Sequence, residues 1–152
     1  AGWREWAALP DLGLARVQAK LDTGARTSAL HAYFIEPVEM AGRDWVRFGV
    51  HPHSEPDATG VVALAPVKDR RMVADSGGHR ELRWVIETLL VMGGVARRVE
   101  ITLTNRDTMR FRLLIGRRAL RRRFAVDPAG SFRLGRGPAA RSKPYPLPRD
   151  PE

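Results

Sequence analysis

The sequence predicts a mainly β protein, a closed and mostly antiparallel barrel-like sheet with one short C-terminal helix. Three observations lead to this fold class. The apolar residues fall largely in short, alternating runs, Gly, Pro, Asn and Asp mark turns between the runs, and the best helix pattern comes late in the chain. With 152 residues, 43% of them hydrophobic, the chain is long enough for one domain with its own core.

The first half of the chain predicts two hairpins and a short strand. Residues 3–9 and 14–21 flank Pro10-Asp11-Leu12-Gly13, where proline presets φ and glycine permits the reversal. Residues 32–40 and 45–51 flank a second turn at 41–44. A polar, proline-bearing loop over 50–59 then leads to a strand at 61–66.

The second half predicts a longer hairpin, two further strands and the helix. Residues 67–74 and 81–92 flank the sequence DSGGHR (75–80), which is typical of a hairpin tip. Gly93-Gly94 turns the chain into a strand over 95–104. A short strand at 111–115 precedes a helix at 117–124, and 131–134 forms a last strand.

These elements predict one domain over residues 1–135. Residues 136–152 are rich in Pro and Arg and contain few large apolar side chains, so we expect a mobile tail there.

The charge distribution favours an acidic partner. The net charge is +9, and seven arginines but no acids lie between Arg110 and Arg123. A solvated helix face would explain that cluster equally well. There is no run of 18 apolar residues and no signal-like N-terminal segment, so we expect a cytoplasmic protein without membrane contact.

A zinc site is one alternative for the chemistry of this chain. Cysteine is absent, so histidines would have to supply the ligands, and His51, His53 and His79 are the candidates. An HxH pair on a polar loop is a weak signal, and no HExxH helix accompanies it. Neither a P-loop nor a G-x-G-x-x-G is present, and apart from this alternative we expect no cofactor.

The most specific chemical signal is the stretch AKLDTGARTS (19–28). An apolar strand precedes its D-T-G triplet, small residues follow it, and a second apolar–apolar–Gly element, LLIGR (113–117), lies downstream.

Together these features resemble the retropepsin-type aspartic proteases over residues 3–134. The matching elements come in the same order: a hairpin ending in LDTGA, a glycine-rich hairpin tip, a strand pair around a Gly turn, and LLIGRRAL entering a helix. DTGARTSALHA, DSGGHRE and TLTNRDTMRFRLLIGRRAL are similar to a bacterial family named ATP-dependent zinc proteases. Members of that family are often associated with an ATP-grasp glutamate ligase that modifies a ribosomal protein.

The resemblance implies that Asp22 is the catalytic acid, supported by Thr23 and Gly24. Two carboxylates about 3 Å apart share one proton, so one acts as base on water and the other as acid. Because one chain supplies one full motif, we expect a homodimer with an Asp22 from each subunit. The triplet at Asp75 leaves open the alternative that one chain supplies both acids.

The substrate expectation depends on a departure from the retropepsin pattern. Retropepsins usually carry an acid four residues after the catalytic aspartate, paired with the arginine of the second motif. Here Arg117 is kept, but Arg26 stands at the partner position, so an anion is needed between them: an acid of this protein (Glu5, Asp44 or Asp127) or the substrate. We expect this pocket to bind an acidic peptide or a glutamate-tailed protein. The expected substrate-binding residues are Ala25, Arg26, Thr27, Asp75, Ser76, Gly77, Gly78, His79 and Arg117.

Two other function classes stay open at this point. One is a zinc-dependent hydrolase that uses the three histidines. The other is a non-catalytic basic module that binds RNA or the ribosome on the same fold, which would show a steep salt dependence.

Overall fold

The computed structural model describes residues 1–52, 60–74, 77–106 and 110–135. The predictions for His53, Asp75, Ser76 and the tail over 136–152 lie outside the described residues.

The chain forms short strands with a single turn of α-helix and a 3-10 turn (Pro10–Leu12) in the described ranges. The elements are β1 (Gly2–Leu9), β2 (Leu14–Asp22), β3 (Ser28–His31), β4 (Phe34–Met40), β5 (Arg43–Val50), β6 (Val61–Pro66), β7 (Asp69–Ala74), β8 (Arg80–Met92), β9 (Val95–Thr104), β10 (Leu113–Gly116), α1 (Arg117–Leu120) and β11 (Asp127–Ser131).

Six strands close into a barrel in the order β1-β2-β10-β3-β9-β8. A pairing of Ala8 in β1 with Val91 in β8 completes the ring. β11 adds to β1 in parallel, and β7 extends the sheet beyond β8 as the second arm of a hairpin. The predicted mainly β, closed-barrel fold class is therefore confirmed.

The position of β10 brings the two sequence motifs together. β10 lies between β2 and β3, which are consecutive along the chain. It runs parallel to β2, so that Ile115 lies opposite Leu21 and Gly116 opposite Asp22, and antiparallel to β3. The end of β10 therefore meets the loop that leaves β2.

The barrel is filled by one hydrophobic core. The buried positions of β2 are Leu14, Val17, Ala19 and Leu21, as the apolar pattern predicted. Burial of each large aliphatic side chain contributes roughly 1.5–3 kcal/mol.

The strands β4, β5 and β6 form a separate antiparallel sheet that packs on this core. One face of that sheet contributes Val46, Phe48, Val50, Ala63 and Ala65 to the core. No helix in the described ranges is long and apolar enough to cross a membrane.

Three local predictions differ from the structure near the site and the C-terminal end. The helix predicted over 117–124 ends at Leu120, because the chain turns at Arg122 (φ 67°) and Arg97 donates hydrogen bonds to the carbonyls of Ala119 and Arg121. The strand predicted at 131–134 lies earlier, at Asp127–Ser131, where β1 pairs with it. The short strand β3 was not predicted, because its four residues are too few to show an alternating pattern.

Candidate active site

Asp22 is the last residue of β2, and its side chain is half-buried. The Gly24 N–H donates a 2.9 Å hydrogen bond to Asp22 Oδ1, and the Ala25 N–H donates to the Asp22 carbonyl at 3.2 Å. Within the described residues, no hydrogen bond reaches Oδ2. The turn thus holds one carboxylate oxygen in place, and the other has no hydrogen-bond partner among the described residues.

Backbone bonds lock this turn to the end of β10 and the start of α1. The Arg117 N–H donates to Ala25 O at 2.8 Å, and the Arg118 N–H donates to Arg26 O at 3.2 Å. Gly116 approaches the loop so closely that a Cβ there would lie 2.6 Å from the carbonyl carbon and oxygen of Thr27. The D-T-G loop and the apolar–apolar–Gly element, which are far apart in the sequence, are therefore joined into one unit.

Ser28 is a residue of this unit that sequence reasoning missed. Its hydroxyl accepts a 3.1 Å hydrogen bond from the Gly116 N–H, and its carbonyl accepts one from Thr102 Oγ1 at 3.2 Å. Arg83 of β8 is buried and donates to Thr102 Oγ1 and to Glu81 Oε2. Satisfied buried polar networks make a site rigid, and the only signal for Ser28 in the sequence was a hydroxyl four residues after Gly24 of the D-T-G triplet.

Arg26 and Arg117 lie on the two segments that the backbone bonds join. Arg117 Nη1 donates to Gly24 O at 3.3 Å, so its guanidinium points to the D-T-G loop. Arg26 is exposed. In the part of the chain that the structure describes, neither guanidinium forms an ion pair with a carboxylate.

None of the three acids considered as internal partners of Arg26 forms an ion pair with it among the described residues. Glu5 is fully buried and accepts hydrogen bonds from the N–H groups of residues 2, 133 and 134. Asp127 forms a 3.0 Å ion pair with Arg133, and Asp44 lies in the β4–β5 hairpin. Within a single chain, the carboxylate for Arg26 is thus not supplied by any of these three.

The other predicted substrate-binding residues fall in two places. Ala25 and Thr27 are half-buried in the locked loop, next to the exposed Thr23. Gly77, Gly78 and His79 are exposed in the connection between β7 and β8, where Gly78 has a φ of 83° that suits glycine. The hairpin tip is confirmed for these residues, and β7 extends the sheet beyond β8.

The zinc alternative gains no support from the described histidines. His51 stacks on Tyr33 with ring centroids 4.2 Å apart, and His79 is in the β7–β8 connection. No group of three or more His, Asp or Glu side chains that could hold a metal occurs among the described residues. Because His53 lies outside them, the three-histidine set stays a prediction.

A charged cluster borders a cavity beside the locked loop. Glu100 of β9 accepts a 2.8 Å hydrogen bond from Arg71 and lies 2.9 Å from Lys68 Nζ. These two cations, Arg71 first, lower the pKa of Glu100 from 4.5 to about 2. The Glu100 carboxylate therefore stays ionised until the pH falls to about 2.

Replacing Glu100 by Gln should destabilise the fold in a pH-dependent way. Because the folded-state pKa lies below the unfolded value, the stabilisation is complete above about pH 4.5 and is lost as the pH falls to about 2. At pH 7 we expect a loss of about 1–2 kcal/mol, reduced by solvent screening of the partners. Urea unfolding at pH 7 and pH 2.5 measures it.

Glu36→Gln is the matched control, since Glu36 forms an exposed ion pair with Arg47 at 3.0 Å. It should cost less than about 0.5 kcal/mol, with little change with pH. An equal loss for Glu100→Gln at both pH values would contradict the ionic origin of the effect.

A closed barrel with a D-T-G loop bonded to a glycine strand end defines the retropepsin-like class of aspartic endopeptidase. The model of the RimB-like family, described as retropepsin-like aspartic endopeptidase RimB, matches residues 1–136. The chain therefore belongs to this family.

Relatives and a solved structure resemble the chain over most of its length. Proteins named probable alpha-L-glutamate ligase from Shewanella pealeana and Desulfotalea psychrophila are 43% and 41% identical over 134 residues, which is 88% of this chain but 29% of each relative. The chain thus spans under a third of those relatives. A crystal structure of a Legionella pneumophila protein of unknown function (DUF785) is 30% identical, with a TM-score of 0.71, and the match covers 88% of this chain and 95% of that one.

Proposed function

We propose that this chain is an aspartic peptidase that hydrolyses peptide bonds in acidic segments, polyglutamate tails included. The observation that carries this proposal is the Asp22 loop, whose carboxylate is held by the Gly24 N–H and whose backbone is bonded to Arg117 and Arg118. Membership in a family of aspartic endopeptidases supports the same chemistry.

The dyad is completed by Asp22 of a second copy of this chain. The described residues of one chain contain one D-T-G loop. Thr23 of this loop is exposed and is therefore available for contact with the same loop of a second copy. With two carboxylates at about 3 Å, one proton is shared, because the second ionisation would place like charges together. The ionised carboxylate then takes a proton from the attacking water, while the protonated one donates to the substrate carbonyl oxygen.

The substrate class follows from the arginines at the loop. Arg26 and Arg117 lack carboxylate partners in the described chain, and the net charge of +9 favours the approach of acidic chains. The relatives that share this domain are named glutamate ligases, which supports glutamate as the side chain recognised. A functional link to an ATP-grasp glutamate ligase, with the peptidase removing what the ligase adds, fits both points.

Arg26→Glu should reverse the preference for acidic peptides. We expect kcat/KM for a glutamate-flanked peptide to fall at least about 10-fold relative to a glutamine-flanked peptide of the same length, because a charge-assisted pair becomes a repulsion. The two peptides are compared at several salt concentrations, since screening should reduce the difference.

Arg43→Glu is the control for net charge, because Arg43 is exposed in the β4–β5 hairpin and the substitution changes the charge equally. An unchanged peptide preference in Arg26→Glu would overturn the carboxylate pocket. Hydrolysis that requires zinc, or salt-sensitive RNA binding with no hydrolysis at all, would favour the two alternative functions.

A further inference from the structure

A cavity of about 210 Å³ lies beside the catalytic loop, and none of the proposed chemistry uses it. It shares its wall with the loop, because Thr27 and Ser28 line it from one side and α1 from another. The lining residues are Thr27, Ser28, Lys68, Glu87, Arg98, Val99, Glu100, Arg118 and Ala119.

Most charges in this wall already have partners. Lys68 lies 2.9 Å from Glu100 and 3.6 Å from Glu87, so both carboxylates share its charge. Arg98 lies 3.5 Å from Asp11. These groups therefore balance one another.

Arg118 is the exception in the wall. Its guanidinium is exposed, and among the described residues it has neither an ion pair nor a side-chain hydrogen bond. Its backbone N–H, in contrast, is fixed at 3.2 Å from Arg26 O. The same backbone bond that joins α1 to the loop thus places Arg118 next to the cavity, with its positive charge free to meet a carboxylate.

The size and chemistry of the cavity suit one acidic side chain. Pockets for whole small ligands usually measure about 300–1,000 Å³, so 210 Å³ is closer to a single side chain. A charged wall is unfavourable for an apolar group, and a guanidinium binds a carboxylate through two parallel N–H···O bonds. The half-buried Thr27 adds a hydroxyl on the side of the loop.

We propose that this cavity is a second carboxylate subsite, in which Arg118 binds a glutamate or aspartate side chain of the bound peptide away from the scissile bond. This inference rests on the proposed peptidase function and extends it. Thr27 and Ser28 line the cavity and belong to the segment that follows the D-T-G triplet, so the cavity adjoins the loop on which the peptide is proposed to bind. The protein would then bind two acidic side chains of the peptide, one at Arg26 and Arg117 and the other at Arg118.

The experiment uses the full chain and peptides that differ by a glutamate or glutamine at one position at a time. In the wild type, we expect one peptide position that is not adjacent to the scissile bond to prefer glutamate over glutamine about 10-fold in kcat/KM. Most of this difference should be in KM. Arg118→Gln should remove the preference at that position alone. Arg43→Gln should leave every preference unchanged, and Arg118→Lys, which keeps the charge without the fork, should retain part of it.

A binding measurement separates failure of the subsite from failure of the peptidase. Calorimetry with a tetraglutamate peptide on Asp22→Asn, with and without Arg118→Gln, should show about 10-fold weaker binding in the double variant. Wild-type hydrolysis with no change in either assay on Arg118→Gln overturns the subsite and leaves the proposed function standing. Absence of hydrolysis in the wild type overturns the proposed function, and the binding assay then decides the subsite. If Arg118→Gln does not fold, Arg118→Lys decides by whether it weakens the preference.

Discussion

Asp22→Asn should abolish peptide hydrolysis, lowering kcat by at least about 10³-fold while the fold stays intact. Asparagine keeps an oxygen that can accept the 2.9 Å hydrogen bond from the Gly24 N–H, so the loop geometry is preserved. It cannot exchange a proton with water, and the dyad loses its acid–base pair. Steady-state hydrolysis of a glutamate-rich peptide, with circular dichroism to check the fold, measures both parts.

Asp44→Asn is the matched control, because Asp44 is exposed in the β4–β5 hairpin. It should have full activity. An Asp22→Asn protein with wild-type kcat would contradict the aspartic mechanism altogether.

Mixing subunits tests whether the dyad is shared. If each active site takes one Asp22 from each chain, refolding wild type with an excess of Asp22→Asn should reduce activity faster than simple dilution, because mixed dimers are inactive. A linear fall with the wild-type fraction would instead favour a site built within one chain, such as one that uses Asp75.

Gly116→Ala should reduce both stability and activity. The new Cβ would lie 2.6 Å from backbone atoms of Thr27, which cannot rotate away, so β10 and the catalytic loop must separate. We expect a loss of about 1–3 kcal/mol in stability. A displacement of about 1 Å at Asp22 should also lower kcat about 10²-fold. Thermal unfolding and hydrolysis rates measure the two effects.

Gly94→Ala separates the two effects. Gly94 lies in the β8–β9 turn with a φ of 80°, and a Cβ added there would have no other atom within 4 Å, so alanine meets only backbone strain of about 1–2 kcal/mol. Gly94→Ala should lose about as much stability as Gly116→Ala, while its rate of peptide hydrolysis should equal that of the wild type. Equal activity in the two variants would show that Gly116 does not position Asp22.

The sequence was most informative where local chemistry decides structure. The turn at Pro10–Gly13, the glycine pair at 93–94 and the strands between them apart from β3 were predicted, because φ preferences and burial on one face act over a few residues. The helix after Gly116 was predicted too long, since its end depends on a long-range bond from Arg97 to the carbonyls of Ala119 and Arg121.

The candidate site likewise has parts that local sequence indicated and parts that depend on contacts between distant segments. The D-T-G triplet and its downstream glycine element were evident as motifs, and their resemblance to one family linked them. Ser28, Arg83 and Thr102 carried no such mark, because their role comes from hydrogen bonds between strands distant in sequence. In the sequence, Arg118 is one of seven arginines between residues 110 and 123, and nothing distinguishes it from the others. Only the structure shows that it lines a cavity.

The sequence by itself indicated the fold class, since alternation and turn residues are local properties, and its resemblance to one family singled out Asp22 as the catalytic candidate and Arg26 as the unusual residue. Only the tertiary structure decided that β10 inserts between β2 and β3 and thereby bonds the two motifs into one loop pair. It also decided which charges are paired: Glu100 is bound by Arg71 and Lys68, whereas Arg118 forms no ion pair among the described residues. Pairing depends on distances of a few ångströms between strands that only the closed barrel brings together.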